Sequence, residues 1–193
     1  MTPQETLQHT EKMIAQLEEL KRKAVFVGLP KEKVGGKVYG DGMTVIRIGA
    51  IHEYGAKIKH PGGTRYVIGP DGNARFVSNS FVGPVTGVTK PHTITIPQRS
   101  FLRVPFRTKR KEVNQFIAKQ FEAVSNGDIS PDIGLGRIGV MTANISKGAF
   151  TSLGYGEWKP ITAETVRRKG SSQTLIDTGI LRSSITWVVR DAS

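Results

Sequence analysis

The sequence predicts an α+β fold: a mostly antiparallel sheet packed by two long helices, with an extended β-hairpin arm. Three observations predict it. Two long segments carry apolar residues at helical spacing. Between them lie short β-branched runs bounded by turn residues. Glycine and proline number 22 and 10 of 193 residues and the apolar fraction is only 37%, so loops and turns are abundant. A chain of this length holds one domain with a hydrophobic core and room for an arm or insertion. We read residues 1–193 as that single domain, with a helix over 1–25, an arm inserted over 57–97, and helices plus a last strand over 105–190.

The segment TPQETLQHTEKMIAQLEELKRKAV opens with Thr2, Pro3 and Glu5, the spacing of a capping box with proline in the first turn. Leu7, Met13, Ile14, Leu17 and Leu20 form an apolar stripe, and Glu18 and Arg22 are placed to pair at i,i+4. AVFVGLP reads as a short strand ended by Leu29-Pro30, and KEKVGGKVYGDG as a glycine-rich loop. MTVIRIGAIHEYG reads as a second strand, because Val45, Arg47 and Gly49 alternate with Ile46, Ile48 and Ala50. TRYVIG and ARFVS flank PDGN, a turn that reverses a strand. The stretch NSFVGPVTGVTKPHTITIP reads as an extended arm with one short strand, HTITI.

The second long helix starts at Pro105 or Thr108 and ends at Gly127, with Val113, Phe116, Ile117, Phe121 and Val124 along one face. SPDIGLGRIGVMTANISKGAF opens with a helix start, Ser-Pro-Asp. Its glycines at 134, 136 and 139 each cost about 1 kcal/mol against alanine, and they permit close approach of a neighbouring backbone. EWKPITAETVRRKG predicts a proline-led short helix closed by Gly170. TLIDTGILRSSITWVVR predicts a cap at Asp177 or Thr178, one helical turn and a last strand from Ile185 to Arg190.

Composition excludes several function classes. The absence of cysteine removes disulfides, thiolate metal sites and thiol catalysis, and fits a protein made in a reducing cytosol. No run of apolar residues is long enough for a membrane helix, and the polar start MTPQETLQHTEK is unlike a signal peptide. The net charge is +12, and the surplus sits mid-chain: residues 24–100 carry ten bases against four acids, and 101–127 six against two. Such a surplus suits a polyanionic neighbour, either nucleic acid or an acidic protein surface, or serves solubility.

No catalytic pattern emerges. His9, His52, His60 and His92 lack the spacings that put two metal ligands on one face. There is no G-x-S-x-G elbow and no P-loop. GLGRIG fits G-x-G-x-x-G, but it follows SPDI within a helical pattern rather than a strand. Glu53 and Asp177 are better read as an ion-paired strand end and a helix cap than as an acid–base pair. DTG stands alone, without the partner segment of an aspartic protease. Catalytic, cofactor and metal residues are therefore expected to be none. RTKRK, from Arg107 to Lys111, is a basic cluster between Phe101, Phe106 and the following helix. Cations at a helix start oppose its dipole, so helix stability does not explain them.

Two segments carry a family pattern. IGAIHEYGAKIKHPGG leading to IPQRSFLRVPFRTKRKEV resembles phage neck and tail-completion proteins, with Glu53, Tyr54, Gly55, Pro97, Arg99, Phe101, Leu102 and Arg103 filling the motif. EWKPITAETVRRKG followed by LIDTGILRSSITWVV is similar to the C-terminal signature of virion morphogenesis, minor tail protein Z-like proteins. Trp158, Pro160, Thr165, Arg168, Lys169, Leu175, Thr178, Gly179, Leu181, Arg182, Ser184 and Ile185 fill that one. Ile161 stands where the family usually has Leu. Ser100 stands where it usually has Pro, a change expected to loosen the loop slightly and do little else.

The resemblance covers residues 44–190 and implies a structural virion protein rather than an enzyme. Such proteins complete the proximal end of the tail and join the tail tube or terminator to the head connector, as a ring, usually a hexamer, around the DNA channel. The implied partners are copies of the chain, tail terminator and tube proteins, head connector or adaptor proteins, and the passing DNA. No membrane and no small-molecule substrate is implied. The implied location is the virion neck, after synthesis in the host cytoplasm. Tail terminator and head–tail adaptor are the alternatives within this class, and a non-specific nucleic-acid-binding protein is the alternative outside it.

Within this frame HEYG is expected to end a strand. Gly55 lets the backbone leave the sheet, Tyr54 packs at an interface, and Glu53 pairs with Arg99 or Arg103. Glu53, Tyr54, Arg99, Phe101, Arg103, Trp158 and Arg182 are the assembly candidates. Arg107, Lys109, Arg110 and Lys111 are the candidates for contact with DNA or an acidic partner.

Overall fold

The computed structural model describes residues 2–40, 42–161, 163, 166 and 179–192. The fold is α+β with antiparallel sheets, divided into two units: residues 1–54 with 98–193, and an inserted unit, Gly55–Pro97.

In the first unit, α1 spans Pro3–Arg22, and Thr2 and Glu5 close a capping box at its start. The chain passes directly into β1, Lys23–Gly28. This strand pairs antiparallel with the last strand, β7, Thr186–Asp191, from Lys23 opposite Asp191 to Gly28 opposite Thr186. One-turn α2, Lys31–Val34, leads to α3, Val45–Tyr54.

The expectation of a strand through MTVIRIGAIHEYG is overturned at α3. β-branched residues and short-range alternation favour a strand locally, but Val45, Gly49 and Glu53 recur every fourth residue and are all buried on one helical face. Thr44 caps the helix by accepting from the Arg47 N–H, and Gly55 ends it at a φ of +74°. Gly49 lets α3 settle against Leu29, where a Cβ would collide.

Beyond the insertion, a short α4 (Arg103–Thr108) precedes α5 (Arg110–Ser125) and α6 (Pro131–Gly148). Among the described residues three helices are long, where two were expected: α6 packs on β1 and β7, α5 packs mainly on α6 and α1, and α5 is preceded by α4, jointed to it at Lys109. Ser130 and Pro131 start α6, the most buried element. Its glycines admit side chains rather than the backbone expected above. Trp187 lies on Gly139 and Val124 beside Gly134. Tertiary packing outweighs the helix-propensity cost of those glycines.

A one-turn α7, Ile180–Ser184, precedes β7, and its N-cap Gly179 has a φ of +72°. The expected helix after Trp158 and the cap at Asp177 or Thr178 fall almost wholly outside the described residues. The main core gathers Val34, Val45, Phe101, Phe150, Trp158, Leu181 and Ile185, and a smaller one joins Leu20, Val124 and Leu135.

In the inserted unit, β2 (Ala56–His60) pairs antiparallel with β6 (His92–Ile96), and the His60 and His92 rings stack 4.9 Å apart across them. A separate antiparallel sheet has β3 (Arg65–Ile68) between β4 (Ala74–Phe76) and β5 (Gly87–Val88). Asp71 accepts from the Asn73 N–H and Gly72 takes a φ of +72°, so the PDGN segment reverses the chain. No residue from Gly55 to Pro97 is buried.

Candidate assembly site

The first motif closes on Glu53. It lies at the end of α3, and its carboxylate is aimed at the start of α4, which lacks a side-chain cap of its own. Oε2 accepts from the backbone N–H groups of Phe101 (2.8 Å) and Leu102 (3.0 Å). Oε1 accepts from Ser100 Oγ (2.6 Å), Arg103 Nε (2.9 Å) and the Arg103 N–H (3.2 Å). Both oxygens are thus committed to a helix N-terminus, where orphan donors and the helix dipole favour an anion. Arg103 closes the circuit, because its Nη2 donates to the Glu53 carbonyl at 2.7 Å, a terminal acceptor of α3. Each helix end is satisfied by a charged side chain from the other.

The candidate residues divide accordingly. Glu53, Arg103 and Phe101 are brought together, and the Arg103 guanidinium sits 4.4 Å from the centre of the exposed Tyr54 ring. Of the two bases offered for Glu53, Arg103 is the partner and Arg99 is not. The Arg99 N–H donates to the His52 carbonyl at 2.8 Å, while its Nε is buried without a partner among the described residues. His52 Nδ1 is likewise buried and without a partner among them. Burial, reinforced by the Arg99 charge, pushes His52 down to about 4.

Trp158, from the second motif, reaches the same loop. Its Nε1 donates to the Ser100 carbonyl at 3.1 Å, and its ring meets Phe150 edge-on at 5.6 Å. Leu181, Ser184 and Ile185 of the L-R-x-S-I motif are buried, the first and last in the main core with Phe101, so both motifs build one interior. Arg182 is exposed on α7, without a side-chain bond among the described residues. Thr165, Arg168, Lys169, Leu175 and Thr178 lie outside the described residues.

Two serines complete the site. Ser100 is not the slack substitute expected from the sequence: it is buried, donates to Glu53 and accepts from the Val104 N–H at 3.1 Å. Ser146 on α6 donates to the Phe101 carbonyl at 2.6 Å. Ser100 lies two residues before the α4 N-cap, Leu102, so the capping rule does not single it out. Nothing local marks Ser146 either.

The basic cluster is split by its ion pairs. Arg107 pairs with Glu157, and Lys109 with Glu112 at 3.0 Å. Arg110 and Lys111 are exposed and unpaired among the described residues, and with Thr108, Asn114 and Gln115 they line a polar hollow.

The site is a buried carboxylate latch between two helix ends in an α+β body. Compared with known proteins, the chain matches no family model, no characterised relative and no solved structure.

Proposed function

We propose that this chain is a structural protein of the tailed-phage neck. It completes the proximal end of the tail and joins tail tube or terminator to head connector, as a ring around the DNA channel. The observation that carries this reading is the Gly55–Pro97 unit: a strand-paired segment with no buried residue that exposes Ile58, Phe76, Val82, Val88 and Ile94. Small hairpins are marginal alone in water, and an exposed apolar surface on an extended arm suits cover by a neighbouring subunit. The latch supports the same reading, since it ties together the two halves of the first resembling segment, and Trp158 of the second donates to the same loop. A ring uses head-to-tail interfaces, in which one patch meets a different patch on the next copy.

Gold-labelled antibody against the chain, imaged on purified virions by electron microscopy, should decorate the head–tail junction. Virions free of label, or label along the capsid or tail shaft, would overturn the proposal. Unpaired Arg110 and Lys111 favour a second reading, non-specific nucleic-acid binding. A neck ring should hold duplex DNA weakly at physiological salt, whereas a dedicated binder should hold it tightly and lose affinity steeply as salt rises.

A further inference from the structure

Helix α1 is amphipathic twice over. Its turn-by-turn contacts with the body come from Met13, Gln16 and Leu20, and Leu20 packs with Val124 and Leu135. At ~100° per residue, Leu7 and Ile14 fall roughly 120–140° round the helix from Leu20, and Leu17, about 60° from it, borders that face. They form a second apolar stripe, left 60%, 53% and 42% exposed. Glu11 and Glu18, each four residues beyond a member of the stripe, border it and are exposed without ion pairs among the described residues.

A matching recess lies between α5 and α6. It is a groove of about 790 Å³ floored by Phe116, Ile133, Val140, Met141 and Trp187, with Ile133 and Val140 about half exposed. Arg137, Lys109 and Glu112 stand on its rim; Lys109 pairs with Glu112, whereas Arg137 is exposed and without an ion pair among the described residues.

We propose that the Leu7–Ile14–Leu17 stripe of α1 docks in the α5–α6 groove of a second copy of this chain. Charge selects the occupant. At a net charge of +12, copies repel unless an acidic surface meets a basic one, and residues 2–18 carry Glu5, Glu11 and Glu18 against Lys12 alone. An amphipathic helix bordered by Glu11 and Glu18 fits an apolar groove whose rim carries Arg137 as a cation unpaired among the described residues. Stripe and groove are different patches, so the contact is head-to-tail and propagates from copy to copy. Closure into a ring rests on the neck reading above, but the contact itself does not.

The chain has no cysteine, so introduced ones report without background. The full chain carrying both Ile14→Cys and Val140→Cys, treated with a mild oxidant, should form a ladder of disulfide-linked oligomers on non-reducing gels. A mixture of the two single variants should stop at dimers. A fast-migrating monomer with an internal disulfide, dimers from Ile14→Cys alone, or no cross-link in either sample would overturn the proposal. In light scattering, Ile14→Glu should weaken self-association roughly tenfold, and charge reversal at Glu11 with Arg137→Glu should restore what either change alone loses. A ladder from protein that virions lack would leave this contact standing and remove the neck assignment. Virion incorporation without a ladder would do the reverse.

Discussion

Truncating Glu53 to alanine should destabilise the body more than any other single polar change, and the reason can be worked from the geometry. The carboxylate holds three backbone N–H groups, the Ser100 hydroxyl and Arg103 Nε. The site around Ser100 and Phe101 is closed to solvent. A buried donor left unpaired costs about 1–3 kcal/mol. The five losses do not add, because the Arg103 side chain is 53% exposed and rehydrates. The loss of one partner from a buried charge network sets the scale, about 3–5 kcal/mol. At roughly 2–4 °C per kcal/mol for a chain of this size, the melting temperature falls on the order of 10 °C.

Glu53→Gln keeps the shape but turns an amide NH₂ toward donors whichever way it flips, and should cost about 2–3 kcal/mol. Arg103→Met removes a half-exposed ion pair, the bond to the Glu53 carbonyl and the contact with the Tyr54 ring, but leaves the backbone N–H groups on the carboxylate, and should cost about 1–2 kcal/mol. The assay is urea and thermal unfolding followed by tryptophan fluorescence, since Trp158 donates to the same loop. If Arg103→Met proved as costly as Glu53→Ala, the salt bridge rather than the helix cap would hold the site. A Glu53→Ala cost under about 1 kcal/mol would refute the latch altogether.

Ser100→Ala should cost about 1–2 kcal/mol in the same unfolding experiment, because it strips a bond from Glu53 and one from the Val104 N–H. Gly139→Ala adds a Cβ where the Trp187 ring lies on α6. The overpacking cost of about 1–3 kcal/mol should exceed the gain of about 1 kcal/mol in helix propensity, with a shifted tryptophan emission. His52 is held at about 4 in the folded chain, below its ordinary 6.5, so the unfolded chain binds more protons between those values. Its contribution is complete above about pH 6.5 and is lost as the pH falls towards 4, by on the order of 3 kcal/mol. His52→Leu should flatten that part of the stability–pH curve, measured by urea titration at stepped pH, and an unchanged slope would exclude His52 as its source. In gel shifts at low salt, Arg110→Glu with Lys111→Glu should weaken duplex DNA retention more than Arg107→Glu with Lys109→Glu, because the latter pair already faces Glu157 and Glu112.

How far the sequence showed this fold depends on the kind of signal. The α1 cap, the Asp-Gly turn and the Ser-Pro start of α6 were legible because each is a local backbone requirement written in one or two side chains. Helix α3 was not, because Ile46, Ile48 and Ile51 favour a strand locally, whereas Val45, Gly49 and Glu53 take their helical face from packing against Leu29, Leu181 and the α4 start. Arg103 could be named as a partner of Glu53, but choosing it over Arg99 required the loop geometry. The roles of Ser100 and Ser146 rest on contacts across 47 and 45 residues, which no spacing rule reaches.

The latch also occupies a particular place along the chain. The inserted unit begins after Tyr54 and ends before Gln98. Immediately outside those points, His52 accepts from the Arg99 N–H, Glu53 gathers Ser100 through Arg103, and Arg103 returns a bond to the Glu53 carbonyl. The two chain segments from which the insertion departs are therefore cross-tied within the body. Closing a long loop at its base costs entropy that rises only slowly with its length, so one strong tie suffices for an insertion of any size. The insertion contributes no buried residue to repay that cost itself. Stability thus resides in the body, and the inserted unit carries exposed apolar side chains such as Ile58, Phe76 and Val82. If the tie does this work, Glu53→Gln should raise amide hydrogen exchange at residues 99–104 and protease cleavage near Gly55 and Pro97, while β1 and β7 keep the protection of the parent. Equal loosening of β1 and β7 would instead make Glu53 a general core residue with no special bearing on the inserted unit.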